Sequence, residues 1–417
     1  MPAGAAAARV CGNMRRTGGA IVNRSSRRRF LQASAASAAA VSVGQGAAPS
    51  SSSADIYARL DIRPVINGVG VVTHLGGSLM PPEVVDAMEQ ASKHFVPLPE
   101  LQKKVGARIA ELLGAPAAMV TCGCASAITL GTAACVAMGD PEKLRALPDT
   151  TGMKNEIVQQ KSHRGGYEQQ MRLVGTKINW VETREGLDRA ITERTAMMFF
   201  YNEMEPEGRI KREEWIRVGK ERGVPTFNDA ASDIPPREHL SQYVKEGFDL
   251  VAFSGGKALL GPQCSGLLMG RKDLIEAAIP AFNPYAGIGR GMKVGKEEMV
   301  GLLAAIERYL RVDHEAEFRE LDARVAYMSE ELLKIKGLTA ERHVPPIANH
   351  VPHLRLTWSD DAFRFDAAEV ARKLMEGEPR IAISPRGERV LHVSVWMMRP
   401  GEHKIVTRRL KELFHNA

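Results

Sequence analysis

The sequence predicts an α/β protein in which a large domain with a mostly parallel sheet is followed by a smaller α+β domain at the C-terminus. Between residues 117 and 270, short apolar runs alternate with helical stretches, a pattern typical of βα units whose strands are covered on both faces. Beyond residue 350, apolar and polar residues alternate, as in half-buried antiparallel strands. The 417 residues, 44% of them hydrophobic, suffice for both cores.

The helix over residues 101–114 is the first element with a strong pattern. Its apolar side chains share one face, which predicts that the helix docks on a core; they are Leu101, Val105, Ile109, Leu112 and Leu113. Gly114 follows the last apolar residue in the position of a C-terminal cap.

The strands of the large sheet are predicted from short runs of apolar and β-branched residues. They cover residues 117–121, 156–160, 177–181, 196–201, 224–228, 248–254 and 265–270. Helical stretches at 184–193 and 212–222 lie between them, so the strands are expected to run mostly parallel.

A helical region over residues 295–335 is expected to link the two domains, with an apolar stripe through Met299, Leu302 and Ile306. The small domain follows, with strands within 350–358, 380–385 and 389–397 and helices at 367–376 and 402–415. The predicted regions are a leader over 1–53, a large domain over 54–300, and the linking helix with the small domain over 301–417.

The formal charge of +7 is concentrated in the leader. The first thirty residues contain no acid and carry Arg9, Arg15, Arg16, Arg24, Arg27, Arg28 and Arg29. Because the rest of the chain is nearly neutral, no basic patch for nucleic acid is predicted.

The leader has the pattern of a targeting segment. Residues Ser26–Gln32, Ser-Arg-Arg-Arg-Phe-Leu-Gln, resemble a twin-arginine export signal. The apolar run over 33–43 is too short to span a bilayer, so no stable membrane insertion is expected. The pattern predicts export to the periplasm or the extracellular space; a disordered basic tail on a cytoplasmic protein is the alternative.

The cysteines predict neither a disulfide framework nor a metal site. Cys122 and Cys124 are separated by one residue and have no histidine cluster nearby, which is a poor zinc pattern. We expect ordinary core or loop thiols at these positions and at Cys11, Cys135 and Cys264.

Three predicted strand ends carry residues suited to chemistry, because ligands of open α/β sheets bind beyond the carboxyl ends of the strands. After strand 117–121, Gly123 permits a tight turn and Cys124 and Ser126 open a helix. Their amides and hydroxyl would form a phosphate cradle, with a plain helix cap as the alternative.

The other two strand ends carry an acid and a lysine. Asp229 closes the strand at 224–228 and either caps a helix or pairs with a protonated pyridine nitrogen, as pyridoxal phosphate requires. Lys257 follows Ser254 and two glycines, which let the backbone approach a cofactor. An amine there would form a Schiff base with the cofactor aldehyde, with Ser254 donating to the phosphate; a surface lysine is the alternative.

Five segments carry a family resemblance: "VINGVGVVTHLGGSLMP", "VTCGCASAITL", "KSHRGGYEQQ", "NDAASDIPP" and "FSGGKALLGPQCSGLLMG". They resemble the fold type I pyridoxal-phosphate enzymes, in the branch of L-seryl-tRNA selenium transferase and D-glucosaminate-6-phosphate ammonia-lyase. The resemblance implies an aminotransferase-like fold and a homodimer or higher oligomer. It also implies roles for Lys257 as the aldehyde-linked lysine, Asp229 as the pyridinium partner, and Gly123 and Cys124 as phosphate donors.

Four further positions take roles from the same resemblance. His163 would stack on the cofactor ring, and Arg164 would face the substrate anion; a surface pair is the alternative. Arg290 and Lys293 match two arginines near the substrate phosphate of the selenium transferases. The lysine lacks the planar, bidentate reach of an arginine.

Departures from the tRNA enzymes narrow the expected function. Their "TNLGR" is "THLGG" here, so that Gly77 replaces an arginine, and the leader occupies the place of the tRNA-binding region. We therefore expect chemistry on a small, anionic amino acid or amino sugar acid, and the family resemblance favours β-elimination of the ammonia-lyase type. A racemase, an aminotransferase, a selenium transferase-like transferase and a non-catalytic paralogue are the alternatives.

Overall fold

The computed structural model describes residues 55–415. The twin-arginine segment and Cys11 lie outside these residues. The described residues 55–62 belong to a unit of their own, which contains α1 (Ile56–Arg59), capped by the carboxylate of Asp55. The second unit begins at Arg63 and contains the rest of the predicted large domain together with the small domain.

The large lobe is built on a sheet with strand order β2-β8-β7-β6-β5-β3-β4. Its strands are β2 (Ala117–Thr121), β3 (Glu156–Gln160), β4 (Lys177–Val181), β5 (Thr195–Tyr201), β6 (Thr226–Asp229), β7 (Leu250–Ser254) and β8 (Gly266–Gly270). β8 is antiparallel to β2 and β7, and the other pairs are parallel. The prediction of a mostly parallel sheet is confirmed.

Helices cover both faces of this sheet and enclose one apolar core. They are α2 (Pro82–Ser92), α3 (Leu98–Leu113), α4 (Gly123–Ala137), α5 (Pro141–Ala146), α6 (Glu168–Arg172), α7 (Arg184–Ala190), α8 (Arg212–Arg222), α9 (His239–Glu246), α10 (Lys272–Ala278) and α11 (Lys296–Tyr309). Gly114 ends α3 at a φ of 64°, which confirms the predicted cap.

The small lobe packs a second core beneath an antiparallel sheet of order β12-β13-β10-β9. Its elements are α12 (His314–Leu332), β9 (Leu338–His343), β10 (His353–Trp358), α13 (Ala367–Glu376), β11 (Arg380–Ala382), β12 (Ser384–Gly387), β13 (Val390–Ser394) and α14 (Glu402–His415). Leu354 and Leu391 point into the core, so the opposite face of the sheet is free to present polar side chains.

Two details differ from the predicted layout. The linking helix is two helices, because Asp313 caps a new helix by accepting a hydrogen bond from the amide of Ala316 at 2.9 Å. The N-terminal strand β1 (Val65–Asn67) pairs with β11 of the small lobe, so this part of the predicted large domain joins the small one. Within residues 55–415, none of the helices has both the length and the apolar character needed to cross a lipid bilayer.

Candidate active site

The strand register brings the predicted strand ends together. Gly266 on β8 is paired with Thr121 on β2 and with Ser254 on β7. The start of α4, which follows β2, therefore lies at the same end of the sheet as Ser254 and the lysine loop behind it. β6 is the next strand along and ends at Asp229.

Lys257 lies half-buried on the loop between β7 and β8. Its ammonium donates a hydrogen bond to the hydroxyl of Ser232, on the loop that follows β6. That loop is held by Asp233, whose carboxylate accepts from the Asn202 amide at 2.6 Å and from the Tyr243 hydroxyl at 3.1 Å. Burial raises the pKa of Asp233 to about 7.

The lysine loop is covered on one side by the "THLGG" segment. Gly77 has a φ of +76°, and a Cβ there would lie 2.4 Å from the carbonyl oxygen of Gly256. Ser78 donates its hydroxyl hydrogen to the same carbonyl at 3.1 Å. An arginine at position 77 would require this contact to open, so glycine fits the local packing at the position where the "TNLGR" motif has arginine.

Asp229 is buried beside the start of α4. Its carboxylate accepts hydrogen bonds from the amide of Ala231 at 3.1 Å and from the thiol of Cys124 at 3.3 Å. Burial raises the pKa of Asp229, and the nearby positive charge of Lys257 opposes this effect. A cation placed against this carboxylate would compensate its desolvation.

The first turn of α4 has free hydrogen-bond donors. Cys122 precedes the helix without a side-chain cap, and Gly123 adopts a φ of +77° with open space where a Cβ would lie. The hydroxyl of Ser126 is buried with no partner among the described residues. On the far side, a Cβ on Gly266 would lie 2.8 Å from the Cys124 nitrogen, so glycine allows β8 to approach this turn.

A cavity of about 650 Å³ opens between the two lobes in front of Lys257. From the large lobe, Lys257, Ser232, Tyr167 and Glu203 line it, together with the loop over 69–74. From the small lobe, the lining includes Asn349, Ser384, Ser394, Trp396, Arg386 and three histidines, His343, His353 and His392. The volume is that of a small-molecule site.

His163 lies behind this cavity. Its ring is fully buried and packs edge-on against Phe200 with centroids 4.4 Å apart. Nδ1 accepts from the Tyr201 amide at 3.2 Å, and Nε2 lies 3.1 Å from the side-chain nitrogen of Gln160. Burial lowers its pKa to about 4. The position does not support the predicted stacking role, because the contacts that fix the ring hold it away from the cavity.

The three predicted substrate-binding cations also lie away from the cavity lining. Arg164 is exposed and stacks on the ring of Trp180, 4.8 Å from its centroid. Arg290 and Lys293 are exposed on the segment between α10 and α11. The structure therefore brings together Lys257, Asp229, Ser254 and the start of α4, and leaves these three cations apart.

Several residues of the cavity were missed by sequence reasoning. Tyr167 follows the "HRGG" motif. Burial raises the pKa of its hydroxyl, and the charges of Asp229 and Cys124 raise it further. Ser232 lies inside the quoted "NDAASDIPP" segment, where its small size conceals its contact with Lys257. The three histidines come from three strands of the other lobe, and only the sheet register unites them.

The residues present fit a phosphorylated pyridine aldehyde. The free hydroxyl of Ser126 and the uncapped amides of α4 suit a phosphate. The buried carboxylate of Asp229 suits a ring cation, and the primary amine of Lys257 suits the aldehyde.

The chain is similar to several proteins of known activity. Residues 170–344 match the family model of L-seryl-tRNA selenium transferase. The chain is 32% identical over 380 residues to D-glucosaminate-6-phosphate ammonia lyase of Salmonella typhimurium, covering 87% of this chain and 99% of the relative. It is also 32% identical over 373 residues to the 5'-C-glycyluridine monooxygenase-decarboxylase of a Streptomyces species, covering 86% and 91% of the two chains.

A solved structure of D-glucosaminate-6-phosphate ammonia-lyase superimposes with a TM-score of 0.75 at 29% identity, covering 88% of this chain and all of the other. An aspartate aminotransferase from Thermotoga maritima, 18% identical, superimposes with a TM-score of 0.51 over 86% of this chain and 94% of its own. The second match supports the aminotransferase-like fold alone.

Proposed function

The chain belongs to the pyridoxal-phosphate-dependent family of D-glucosaminate-6-phosphate ammonia lyase and L-seryl-tRNA selenium transferase, and from that premise we propose that it is a pyridoxal-phosphate-dependent lyase. The observation that carries the proposal is the convergence of Lys257, Asp229 and the donor-rich start of α4 at one end of the sheet. Pyridoxal phosphate, when bound, supplies an aldehyde that links to amines and a ring that draws electrons from the substrate carbon.

Each residue of the chain has a defined task in this proposal. The start of α4, through Gly123, Cys124 and Ser126, would hold the phosphate, with Ser254 as a further donor. The carboxylate of Asp229 would hold a proton on the ring nitrogen through an ion pair, which its buried position strengthens. The thiol of Cys124 orients that carboxylate by donating to it.

Lys257 is the proposed base. Its amine would take the proton from the substrate carbon that bears the amino group, and Ser232 would steer it through the hydrogen bond seen here. Tyr167 lines the cavity close to Asp229, so we propose that its ring, rather than that of His163, covers the cofactor ring.

We propose β-elimination with release of ammonia from a small anionic amino acid or amino sugar acid as the reaction. Support comes from the ammonia lyase, which is 32% identical over nearly its whole length. Racemisation, transamination and a transferase reaction begin with removal of the same proton and remain the alternatives. A non-catalytic paralogue is disfavoured because the lysine, the acid and the helix start have kept a shared site.

A homodimer is proposed from the surface of the large lobe. Phe95 is fully exposed, and Leu79 is 61% exposed. Met80, Val85 and Val96 add to this apolar surface near the start of the lobe. Sedimentation of the wild type and of Phe95→Asp tests this proposal, and only the wild type is expected to be a dimer. A monomeric wild type would contradict it.

Export is proposed from the leader alone. The segment Ser26–Gln32 carries the paired arginines of a twin-arginine signal. Replacing Arg27 and Arg28 by lysine is expected to keep the protein in the cytoplasm, as followed by fractionating cells. An unchanged distribution would contradict export by this route.

The proposed lyase activity is tested by combining purified protein, pyridoxal phosphate and a panel of amino acids and amino sugar acids, with and without phosphate groups. The expected result is a yellow protein that releases ammonia and a keto acid in equal amounts from one member of the panel. A protein that stays colourless in excess cofactor would contradict the proposal. A yellow protein that racemises or transaminates the substrate would keep the cofactor and overturn the reaction.

A further inference from the structure

The wall that the small lobe contributes to the cavity is unusually rich in imidazole groups. His343, His353 and His392 lie on β9, β10 and β13, and all three line the cavity. His343 is directly opposite His353 in the register, and the His343 and His392 rings have centroids 5.4 Å apart. The three strands thus present one patch of imidazoles toward the space in front of Lys257.

Two arginines accompany the patch. Arg386 on β12 lines the cavity, and Arg355 on β10 is opposite His392 in the register. Within residues 55–415, Arg386 forms no ion pair, and the side chains of Arg386, His343 and His392 make no hydrogen bond. Glu341, the acid on this face, is opposite Arg355 and outside the cavity lining.

This grouping is electrostatically unfavourable without a ligand. Burial, followed by the charges of His343 and Arg386, lowers the pKa of His392 to about 4. Burial and the same two neighbours also lower the pKa of His353, against the hydrogen bond of its ring nitrogen with the Asn349 carbonyl at 3.2 Å. An anion placed among these groups would reverse the repulsion and favour protonated imidazoles.

The donor set indicates which anion fits. One carboxylate is satisfied by a single arginine in a bidentate pair, which would leave three histidines unused. A phosphomonoester carries three terminal oxygens and close to two charges near neutral pH, so it can use several donors at once. A divalent metal is the other ligand of histidine clusters, but no group of three possible ligands within residues 55–415 has the spacing to hold one.

We propose that four residues form a proton-coupled subsite for a phosphoryl group of the substrate: His343, His353, His392 and Arg386. The phosphoryl group would be carried at the end of the substrate remote from Lys257. The assignment rests on the proposed function for the reacting end alone. The subsite selects phosphorylated over unphosphorylated substrates, and it takes up protons when the phosphoryl group enters.

Proton uptake follows from the charges that face the imidazoles. Arg386 favours the neutral forms of His353 and His392 in the free protein, and Arg355 adds to this effect at His392. Lys257, His74 and Glu203 line the other side of the same cavity. A phosphate dianion adds negative charge directly at the rings, so the pKa of His353 and of His392 rises when it binds. Between the free and the bound pKa, binding consumes protons, and affinity falls as pH rises.

The test uses the holoprotein and two sugar acids without an amino group, 6-phosphogluconate and gluconate, which differ only in the phosphate. Calorimetry in two buffers of different ionisation enthalpy measures affinity and proton uptake together. We expect 6-phosphogluconate to bind about tenfold tighter or more, with net proton uptake at pH 7. In the double variant His343→Gln/His392→Gln, the preference and the uptake are lost, whereas gluconate binding is unchanged.

Two further variants serve as controls. His94→Gln replaces an exposed histidine of the large lobe and is expected to match the wild type. Arg386→Gln, at an exposed position of β12, is expected to reduce the phosphate preference, and it serves if the double variant unfolds. It should also lower the proton uptake, because the charge that keeps His353 and His392 neutral in the free protein is gone. Inorganic phosphate is left out of all buffers because it competes for the subsite.

Three outcomes overturn the subsite: equal binding of the two sugar acids, binding without proton uptake, or a preference that survives in both the double variant and Arg386→Gln. Stoichiometric zinc binding by the wild type that is lost in the double variant would assign the cluster to a metal instead. The proposed function fails separately, through a protein that stays colourless with pyridoxal phosphate. A colourless protein that still prefers 6-phosphogluconate would support the phosphoryl subsite and contradict the proposed cofactor.

Discussion

The two walls of the cavity are built on different principles. On the large-lobe side, the two groups proposed for the chemistry are already paired: Lys257, in the wall itself, with Ser232, and Asp229, outside the lining, with Cys124 and the Ala231 amide. On the small-lobe wall Arg386, His343 and His392 face the cavity without such partners among the described residues. The difference indicates that the groups proposed for the chemistry are positioned before a ligand arrives. The groups on the small-lobe wall gain their hydrogen-bond partners only when the ligand binds.

The largest effect is expected from the paired wall. Lys257→Ala removes the proposed base and the amine that links the cofactor, so turnover of the substrate should fall by about 10²–10⁴-fold or more. Steady-state ammonia release measures it. Lys272→Ala, on the exposed surface of α10, is the matched control and should keep full activity. Activity retained in Lys257→Ala would show that Lys257 is not the base and that the chemistry does not depend on the large-lobe wall.

A second change tests the electrostatic part of the same wall. Asp229→Ala removes the carboxylate proposed to hold the ring proton, and kcat should fall by roughly 10²–10³-fold. Asp229→Asn keeps the size and one acceptor oxygen but not the charge, and should be nearly as slow. If Asp229→Asn retains wild-type kcat, the charge at this position is not required, and the proposed ring contact is wrong.

The unpaired wall should respond in binding instead of turnover. Arg386→Gln removes a contact made with the bound substrate throughout the reaction, so KM should rise by about tenfold with kcat nearly unchanged. Initial rates over a range of substrate concentration separate the two constants. A fall in kcat with constant KM would place Arg386 in the chemical step and erase the distinction between the walls.

The interior behind the paired wall has its own pH signature. His163 is buried with a pKa lowered to about 4, so its folded form stays neutral while the unfolded chain takes up a proton below pH 6.5. The contribution of the neutral imidazole to the free energy of unfolding is complete above pH 6.5. It is lost as the pH falls toward 4, by on the order of 3 kcal/mol.

His163→Asn keeps an acceptor for the Tyr201 amide but does not titrate. Urea unfolding of both proteins between pH 4 and 7 should show that the wild type loses more free energy of unfolding across this window. Parallel curves would show that the imidazole does not remain neutral in the fold.

The smallest effect is expected where the "THLGG" loop covers the lysine loop. Gly77→Ala places a Cβ against the Gly256 carbonyl at a positive φ, and should lower the free energy of unfolding by about 1–3 kcal/mol. Thermal unfolding measures it, and Gly152→Ala, also at positive φ but with open space at its Cβ, separates the contact from the backbone strain.

Much of the large lobe could be predicted from the sequence because its strands are buried on both faces. The runs at 117–121, 156–160 and 177–181 became strands with those bounds. Glycines and one lysine at the end of an apolar strand likewise located the Lys257 loop. These signals are local, so a single segment suffices to read them.

What the sequence could not predict depends on contacts between distant segments. The break between α11 and α12 rests on one cap at Asp313, and the pairing of β1 with β11 joins the two ends of the chain. His163 was given its stacking role by the family resemblance, yet its ring is buried against Phe200 in the core. The three cavity histidines are spread over positions 343–392 and form a patch only after the small sheet is assembled.

The central claim is that Lys257 holds the cofactor, and one measurement addresses it directly. The protein is loaded with pyridoxal phosphate, reduced with borohydride to fix any link between the aldehyde and an amine, digested, and mapped by mass spectrometry. The account predicts one modified peptide, with the added mass on Lys257. Modification at other lysines in proportion to their exposure, with Lys257 unmodified, would contradict it.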